Sequence, residues 1–177
     1  MCFAGTSAII KEMKTVKTSE STTTWIGKKL GGSHTGTISL KSGSLEFIDG
    51  ILTDGRFIID MSSIEVTDLT GENKGKLEGH LKSDDFFGTI NYPEAILEFK
   101  EMEQKTADTY AVTADLSIKE KTNPITFDLV VSENVATTKL IIDRSKYDVK
   151  YGSKNFFQGL GDNFIYDDFE VDVKLVY

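Results

Sequence analysis

The chain has 177 residues, 39% hydrophobic and 27% charged, a composition typical of one soluble domain with room for a substantial core. Its 20 Lys and Arg residues stand against 28 Asp and Glu residues, and the formal net charge of -8 argues against nucleic-acid binding and against adsorption to a membrane by charge alone. No apolar run approaches the roughly 20 residues that a transmembrane segment of helical type needs.

The chain contains one cysteine, Cys2, so an internal disulfide is excluded. The first ten residues are mildly apolar but contain neither a basic segment nor a full hydrophobic stretch, and we do not expect them to act as an export signal. The predicted location is therefore cytoplasmic, or periplasmic or secreted if a signal peptide has been removed. Residues 1–20 are predicted to form a mobile arm or a short first element, and residues 21–177 a single domain.

The first predicted strands follow this N-terminal segment. Residues 22–26 are rich in β-branched and aromatic side chains, and residues 35–40 alternate between apolar and polar, which is typical of strands. Asp54 and Gly55 form the sequence of a tight hairpin turn, after which residues 56–60 continue as a strand.

The alternation then gives way to a helical pattern. Leu77, His80 and Leu81 recur at spacings of three and four residues, which places them on one face of a helix. The pattern predicts a short inserted helix near residues 74–85. Residues 71–75, which begin and end with glycine, are predicted to be the loop that leads into it.

Alternation is clearest in the second half of the chain. Apolar residues occupy alternate positions in four segments, residues 109–118, 125–131, 140–142 and 169–175. Residues 121–124 are predicted to be a turn, and residues 146–167 a long loop that contains two adjacent phenylalanines.

About eight strand candidates, joined mostly by short turns, predict an all-β fold: an antiparallel β-barrel of about eight strands. Closing the sheet into a barrel leaves no exposed strand edges. Eight strands enclose just enough space for side chains or for one small ligand. Because inward positions alternate in the same way in a filled barrel and in a hollow one, the pattern does not distinguish between them.

The residue types that usually carry chemistry do not form a recognisable catalytic group. His34 and His80 lie far apart in the chain, so a histidine-based metal site is not expected. Asp84 follows His80 by four residues, a spacing that favours a hydrogen bond on the helix face over a metal site. The adjacent pair Asp84 and Asp85 lies near the predicted helix end, which favours a cap or a solvated turn over acid–base catalysis. No catalytic residue, no metal ligand and no enzyme activity are predicted. An enzyme that uses His80 and the nearby acids is kept as an alternative of a different class.

Seven segments form an ordered pattern that none of them carries alone: residues 25–38, 57–64, 79–87, 92–95, 114–118, 122–127 and 143–148. The most specific piece is the pair GHLKSDDFF and YPEA. Together the segments resemble the YceI-like polyisoprenoid-binding family over residues 22–177. Gly88 stands where that family often has Asp or Asn, and the region after Tyr151 also departs from its pattern, so the identity of the ligand transfers least.

The resemblance implies a lipocalin-like barrel with an elongated internal pocket for an isoprenoid chain, and typical members are periplasmic or secreted. The expected function is binding, transport, storage or sequestration of a long-chain apolar ligand, such as a polyisoprenoid, an isoprenoid quinone, or a fatty acid or amide. No cofactor is expected apart from such a bound lipid. The alternative is a non-enzymatic interaction or stress-response barrel with a filled core. Exposed strands and loop aromatics also allow a homodimer.

Two sets of residues are candidates for the ligand site. The predicted pocket wall consists of inward-facing residues of the strands, namely Val112, Ala114, Leu116, Ile118, Phe127, Leu129, Leu140, Ile142, Val171 and Val173. Ala114 stands out because a small inward residue leaves room. The predicted mouth consists of Trp25, His34, Phe86, Phe87, Phe156 and Phe157. The candidates for contacts with a polar head group of the ligand are His34, Lys28, Lys29 and Arg144. Residues of these types are usually solvated at the surface.

Overall fold

The computed structural model describes residues 8–161 and 164–177, and Cys2 lies outside them. These residues form nine strands, one α-helix and one short 3₁₀ helix. The elements are β1 (Lys11–Thr15), β2 (Thr22–Lys29), β3 (Gly32–Ile48), β4 (Ile51–Val66), α1 (Gly71–Lys82), β5 (Glu94–Gln104), β6 (Thr109–Ile118), β7 (Lys121–Val131), β8 (Val135–Asp143), the 3₁₀ helix (Arg144–Tyr147) and β9 (Ile165–Val176).

The strands close into a barrel. Neighbours follow the order β2-β9-β8-β7-β6-β5-β4-β3, and β3 returns to pair with β2, so that eight antiparallel strands form the ring. The predicted antiparallel barrel of eight strands is therefore confirmed. Strand β1 is a ninth strand that pairs with Ser44–Ile48 of β3, so the described part of the predicted arm contains a short first element.

The turn between β3 and β4 lies earlier than predicted. The sequence placed it at Asp54 and Gly55, but these residues are inside β4, and β3 and β4 are joined at Asp49 and Gly50, whose φ angles of 52° and 81° suit a two-residue hairpin turn. Gly55 has a packing role instead. A Cβ at this position would lie 2.5 Å from Cδ2 of Phe99, so only glycine admits the ring.

The turn between β6 and β7 is also displaced from its predicted position. Residues 121–124 were expected to be a turn, but Pro124 lies within β7 opposite Asp115, and the turn is formed by Lys119 and Glu120 with φ angles of 49° and 59°. Pro124 has no N–H to donate to a neighbouring strand. It is tolerated because β7 pairs with β8 only at Val130 and Val131, near the other end of the strand.

The junction between β7 and β8 is the weakest in the ring. These strands pair at two positions only, Val130 with Thr137 and Val131 with Ala136. Every other neighbouring pair in the ring matches at five positions or more. Beyond the paired region, the Thr138 hydroxyl donates to the carbonyl of Asp128 at 2.7 Å and holds the two strands together.

The helix is shifted by three residues from its predicted position near residues 74–85. It begins at Gly71 and ends at Lys82, because the predicted loop forms its first turn, and none of its residues is fully buried. Ser83 ends the helix, since its N–H and its hydroxyl both donate to the carbonyl of His80. In the part of the chain that the structure describes, no helix is long and apolar enough to cross a membrane.

The two ends of the barrel differ. At one end, which we call the sealed end, Phe47, Tyr110 and Tyr177 fill the interior, and the Tyr177 hydroxyl donates to the carbonyl of Ser132 at 2.6 Å. The opposite end, which we call the mouth, carries the β2–β3 turn, α1 and the connection between β8 and β9. The barrel therefore opens in one direction.

Candidate functional site

An apolar cavity of about 380 Å³ occupies the part of the barrel nearer the mouth. All eight strands of the ring and helix α1 contribute side chains to its wall. Its volume lies at the lower end of the range of roughly 300 to 1,000 Å³ that small-molecule pockets span. The interior is therefore partly hollow, which the sequence pattern did not decide.

Eight of the ten predicted wall residues line this cavity. They are Leu116, Ile118, Phe127, Leu129, Leu140, Ile142, Val171 and Val173. All of them are inward-facing strand residues, as the alternation predicted.

Val112 and Ala114 are the two predicted wall residues that do not line the cavity. Both are almost completely buried on β6. The rings of Phe99 on β5 and Phe127 on β7 meet across β6 at a centroid distance of 5.8 Å, and Phe99 pairs directly with Ala114. The space that the small side chain leaves is thus filled by these rings, and the expectation that it serves a ligand is corrected.

Four of the six predicted mouth residues line the cavity: Trp25, His34, Phe86 and Phe87. Phe86 and Phe87 follow α1, and their rings meet edge to face at 5.0 Å, so they close the space between the helix and the barrel.

Phe156 and Phe157 do not line the cavity and are exposed. The buried Ser153 anchors the loop that carries them, because its hydroxyl donates a hydrogen bond to Asp167 at 2.9 Å. The carbonyl of Ser153 accepts hydrogen bonds from the N–H groups of both phenylalanines. Their backbone is therefore held at the mouth while their side chains remain exposed. Phe156 and Phe157, which were predicted to belong to the mouth of the ligand site, therefore stand beside the mouth and do not line the cavity.

Arg144 is the residue whose role the sequence misjudged most. It was expected to be solvated, but it is 2% exposed and lines the cavity. Its N–H groups donate to the carbonyls of Tyr166, Val149 and Ile165, and it faces Asp167 at 3.4 Å. Burial lowers the pKa of Arg144, against the opposing effect of nearby carboxylates. The guanidinium ties the start of β9 to the preceding loop and so shapes the mouth.

The helix contributes three residues to the cavity wall, Leu77, His80 and Leu81, which are the residues that its periodicity singled out. The His80 ring packs edge to face on Tyr151 at 4.4 Å and on Phe86 at 5.4 Å. Its Nε2 atom is buried and has no hydrogen-bond partner within the described residues. His80 is therefore packed as part of the cavity wall.

Residues 8–161 and 164–177 contain no group of three His, Cys, Asp or Glu side chains that could hold a metal ion. Asp84, which the sequence placed one helical turn after His80, accepts a hydrogen bond from Asn91 at 3.2 Å. The carboxylate thus has a structural partner in the turn that follows α1.

The ionisable side chains on the cavity wall are basic or phenolic: Lys28, Lys29, His34, His80, Arg144, Tyr151 and Tyr166. Two of these side chains pair with carboxylates: Lys28 donates a hydrogen bond to Glu170, and His34 Nδ1 lies 2.9 Å from a carboxylate oxygen of Asp68. Burial acts to raise the pKa of Asp68, but hydrogen bonds from His34 and from backbone N–H groups outweigh it, and the pKa is lowered. The mouth therefore pairs apolar walls with a basic border.

Comparison with solved structures shows where this barrel recurs. BcnA from Burkholderia cenocepacia is similar over 92% of this chain and 99% of its own, at 19% sequence identity and a TM-score of 0.73. A YceI protein from Campylobacter jejuni is similar over 70% of each chain, at 18% identity and a TM-score of 0.53. At these identities the likeness shows a shared fold.

Sequence comparisons give a family and no individual relative. No curated protein matches the chain significantly. The family model described as the YceI-like domain matches residues 15–177, which is nearly the whole chain. The chain therefore belongs to the YceI-like family.

Proposed function

We propose that this protein binds a long-chain apolar molecule in its barrel and carries it without changing it chemically. The observation that supports this most strongly is the apolar cavity itself, which is walled by every strand of the ring. Membership of a family of barrels that bind apolar ligands points the same way. The proposed ligands are isoprenoid chains, including those of quinones, and fatty chains.

The energetics of burial favour a carrier. Removing one CH₂ group from water is worth about 0.8 kcal/mol, so an apolar chain is strongly retained against water. A chain that starts in a lipid bilayer is already out of water, and its transfer into the barrel is nearly neutral per carbon. Such a protein exchanges its cargo with membranes and does not trap it, which suits transport, storage or sequestration.

The first experiment is mass spectrometry of organic extracts from the purified protein, with denatured protein processed beside it. We expect one long-chain lipid or quinone at close to one molecule per barrel. A clean extract, combined with no uptake of an added quinone or fatty acid, would overturn the proposal. That result would favour the interaction or stress-response barrel.

A further inference from the structure

The surface around the mouth carries a cluster of exposed apolar side chains that extends beyond the cavity. Five residues, Leu30, Tyr151, Phe156, Phe157 and Tyr166, are between 42% and 49% exposed, and we call them the aromatic rim. Among the described residues, every large aromatic side chain exposed to this degree belongs to the rim. The other exposed large apolar side chains of the described residues carry no aromatic ring.

The rim is one connected surface. Leu30 lies in the β2–β3 turn, and its N–H donates to the carbonyl of Phe164 at 3.4 Å. The Phe164 ring packs on Tyr166 at 5.0 Å. Ile165 donates to the carbonyl of Gly152, which brings the start of β9 to the loop that carries the two exposed phenylalanines. Tyr151 and Tyr166 also line the cavity, so the rim continues into its wall.

Lysines are interleaved with these side chains. The Lys150 ammonium lies 5.3 Å from the centre of the Phe156 ring, and that of Lys154 lies 3.5 Å from the centre of Phe164. Lys28 and Lys29 lie beside the rim on the cavity wall. Lys28 and Lys150 also pair with Glu170 and Asp148. In a chain of net charge -8, these four lysines place positive charge directly beside the rim, where it can meet an anionic surface.

We infer that the aromatic rim docks onto the surface of a lipid bilayer and sets the mouth of the cavity against it. Exposed Phe, Tyr and Leu side chains flanked by Lys have the composition of the membrane interface, where rings enter the head-group region and ammonium groups meet phosphates. This inference rests on the proposed function, because it names the source from which the apolar cargo enters. The overall negative charge opposes adsorption, so docking depends on insertion of the rings.

The test compares variants in sedimentation with vesicles of phosphatidylcholine, with and without phosphatidylglycerol. The double variant Phe156→Ser and Phe157→Ser is expected to reduce the partition coefficient onto both kinds of vesicle by about tenfold or more. The matched control is Ile51→Ser with Val130→Ser, which removes two similarly exposed apolar side chains near the sealed end. The control is expected to partition like the wild type.

A second pair of substitutions tests the lysines. The variant Lys29→Gln with Lys154→Gln is expected to lose the additional binding that phosphatidylglycerol confers, while its binding to phosphatidylcholine stays within about twofold of wild type. Equal losses on both kinds of vesicle would contradict the role given to the lysines in docking.

Delivery of a fluorescent fatty acid separates docking from ligand binding. The Phe156→Ser and Phe157→Ser protein is expected to take up the probe from cyclodextrin as the wild type does, and to take it up from vesicles about tenfold more slowly. Wild-type partition onto vesicles by the double variant, or no vesicle binding by the wild type, would overturn the docking inference. A dimer that these substitutions dissociate would replace the bilayer with a second copy of the chain. Failure of the wild type to take up the probe from cyclodextrin would instead count against the proposed function.

Discussion

The ring of Phe99 lies against the bare backbone of Gly55 on the neighbouring strand, so closely that a Cβ at position 55 would come within 2.5 Å of Cδ2. Phe99 in turn packs on Phe57 and Phe127, with ring centres 5.6 and 5.8 Å away. The same relation recurs one strand over, where a Cβ at Gly43 would come within 2.6 Å of Cδ1 of Phe57. The cluster of three rings that bounds the cavity thus depends on two glycines inside strands.

Gly55→Ala is therefore expected to destabilise the protein by about 1–3 kcal/mol, because the added methyl group overpacks the ring cluster. Urea unfolding followed by circular dichroism measures the change. Gly75→Ala in α1 is the matched control, since a Cβ there meets nothing within 4 Å and alanine favours a helix. A Gly55→Ala protein as stable as the wild type would show that Phe99 can move aside freely.

Ala95→Leu is expected to reduce ligand uptake by about tenfold, because Ala95 is buried on the cavity wall and leucine extends three more carbons into the space that the ligand needs. Titration with a fluorescent fatty acid delivered from cyclodextrin measures the effect. Ala111→Leu, on the outer face of β6, adds the same atoms and should leave uptake unchanged. Equal uptake by both variants would move the binding site away from this cavity.

Arg144→Met is expected to destabilise the protein by about 3 kcal/mol, since it leaves one buried carbonyl, two partly buried carbonyls and Asp167 without their partner. Thermal and urea unfolding give the magnitude. Arg144→Lys keeps the charge but lacks the planar set of donors, and an intermediate loss is expected. If both variants lost less than about 0.5 kcal/mol, the guanidinium would not be what secures the mouth.

Asp68→Asn is expected to make the free energy of unfolding less sensitive to acid. The pKa of Asp68 is below its usual 3.8 in the folded protein, so its carboxylate stabilises the fold above that value and the contribution is lost as pH falls through the lowered pKa. The difference in unfolding free energy between wild type and variant should therefore shrink as the pH drops below about 4. A difference that stays constant with pH would contradict the stabilising contact between Asp68 and His34.

The sequence predicted the barrel well because period-two alternation follows directly from which face of a strand is buried, as in β6 and β9. It misplaced the turn between β3 and β4 because Asp54-Gly55 and Asp49-Gly50 carry the same turn sequence, and the packing of Phe99 on Gly55 is not visible in the sequence. A glycine required by a distant ring has no local signal.

The candidate site was predictable where a residue's role depends on its own strand, and unpredictable where it depends on another element. Ala114 fails as a wall residue because rings from β5 and β7 cover it. Arg144 is buried because carbonyls far along the chain surround it, whereas composition alone places arginine at the surface. Both corrections come from contacts that link segments far apart in sequence.

Because β7 and β8 pair at two positions only, the circumference of the barrel can change most easily at this junction. A ring of strands joined everywhere by long ladders has a fixed circumference, whereas this one can widen along a single seam with few hydrogen bonds lost. For the apolar ligand that we propose, widening along this seam would make room for a branched or ring-bearing chain without a larger resting cavity. Backbone amides of Thr126 and Lys139 should accordingly exchange with solvent faster than those of β6, and faster still while cargo enters.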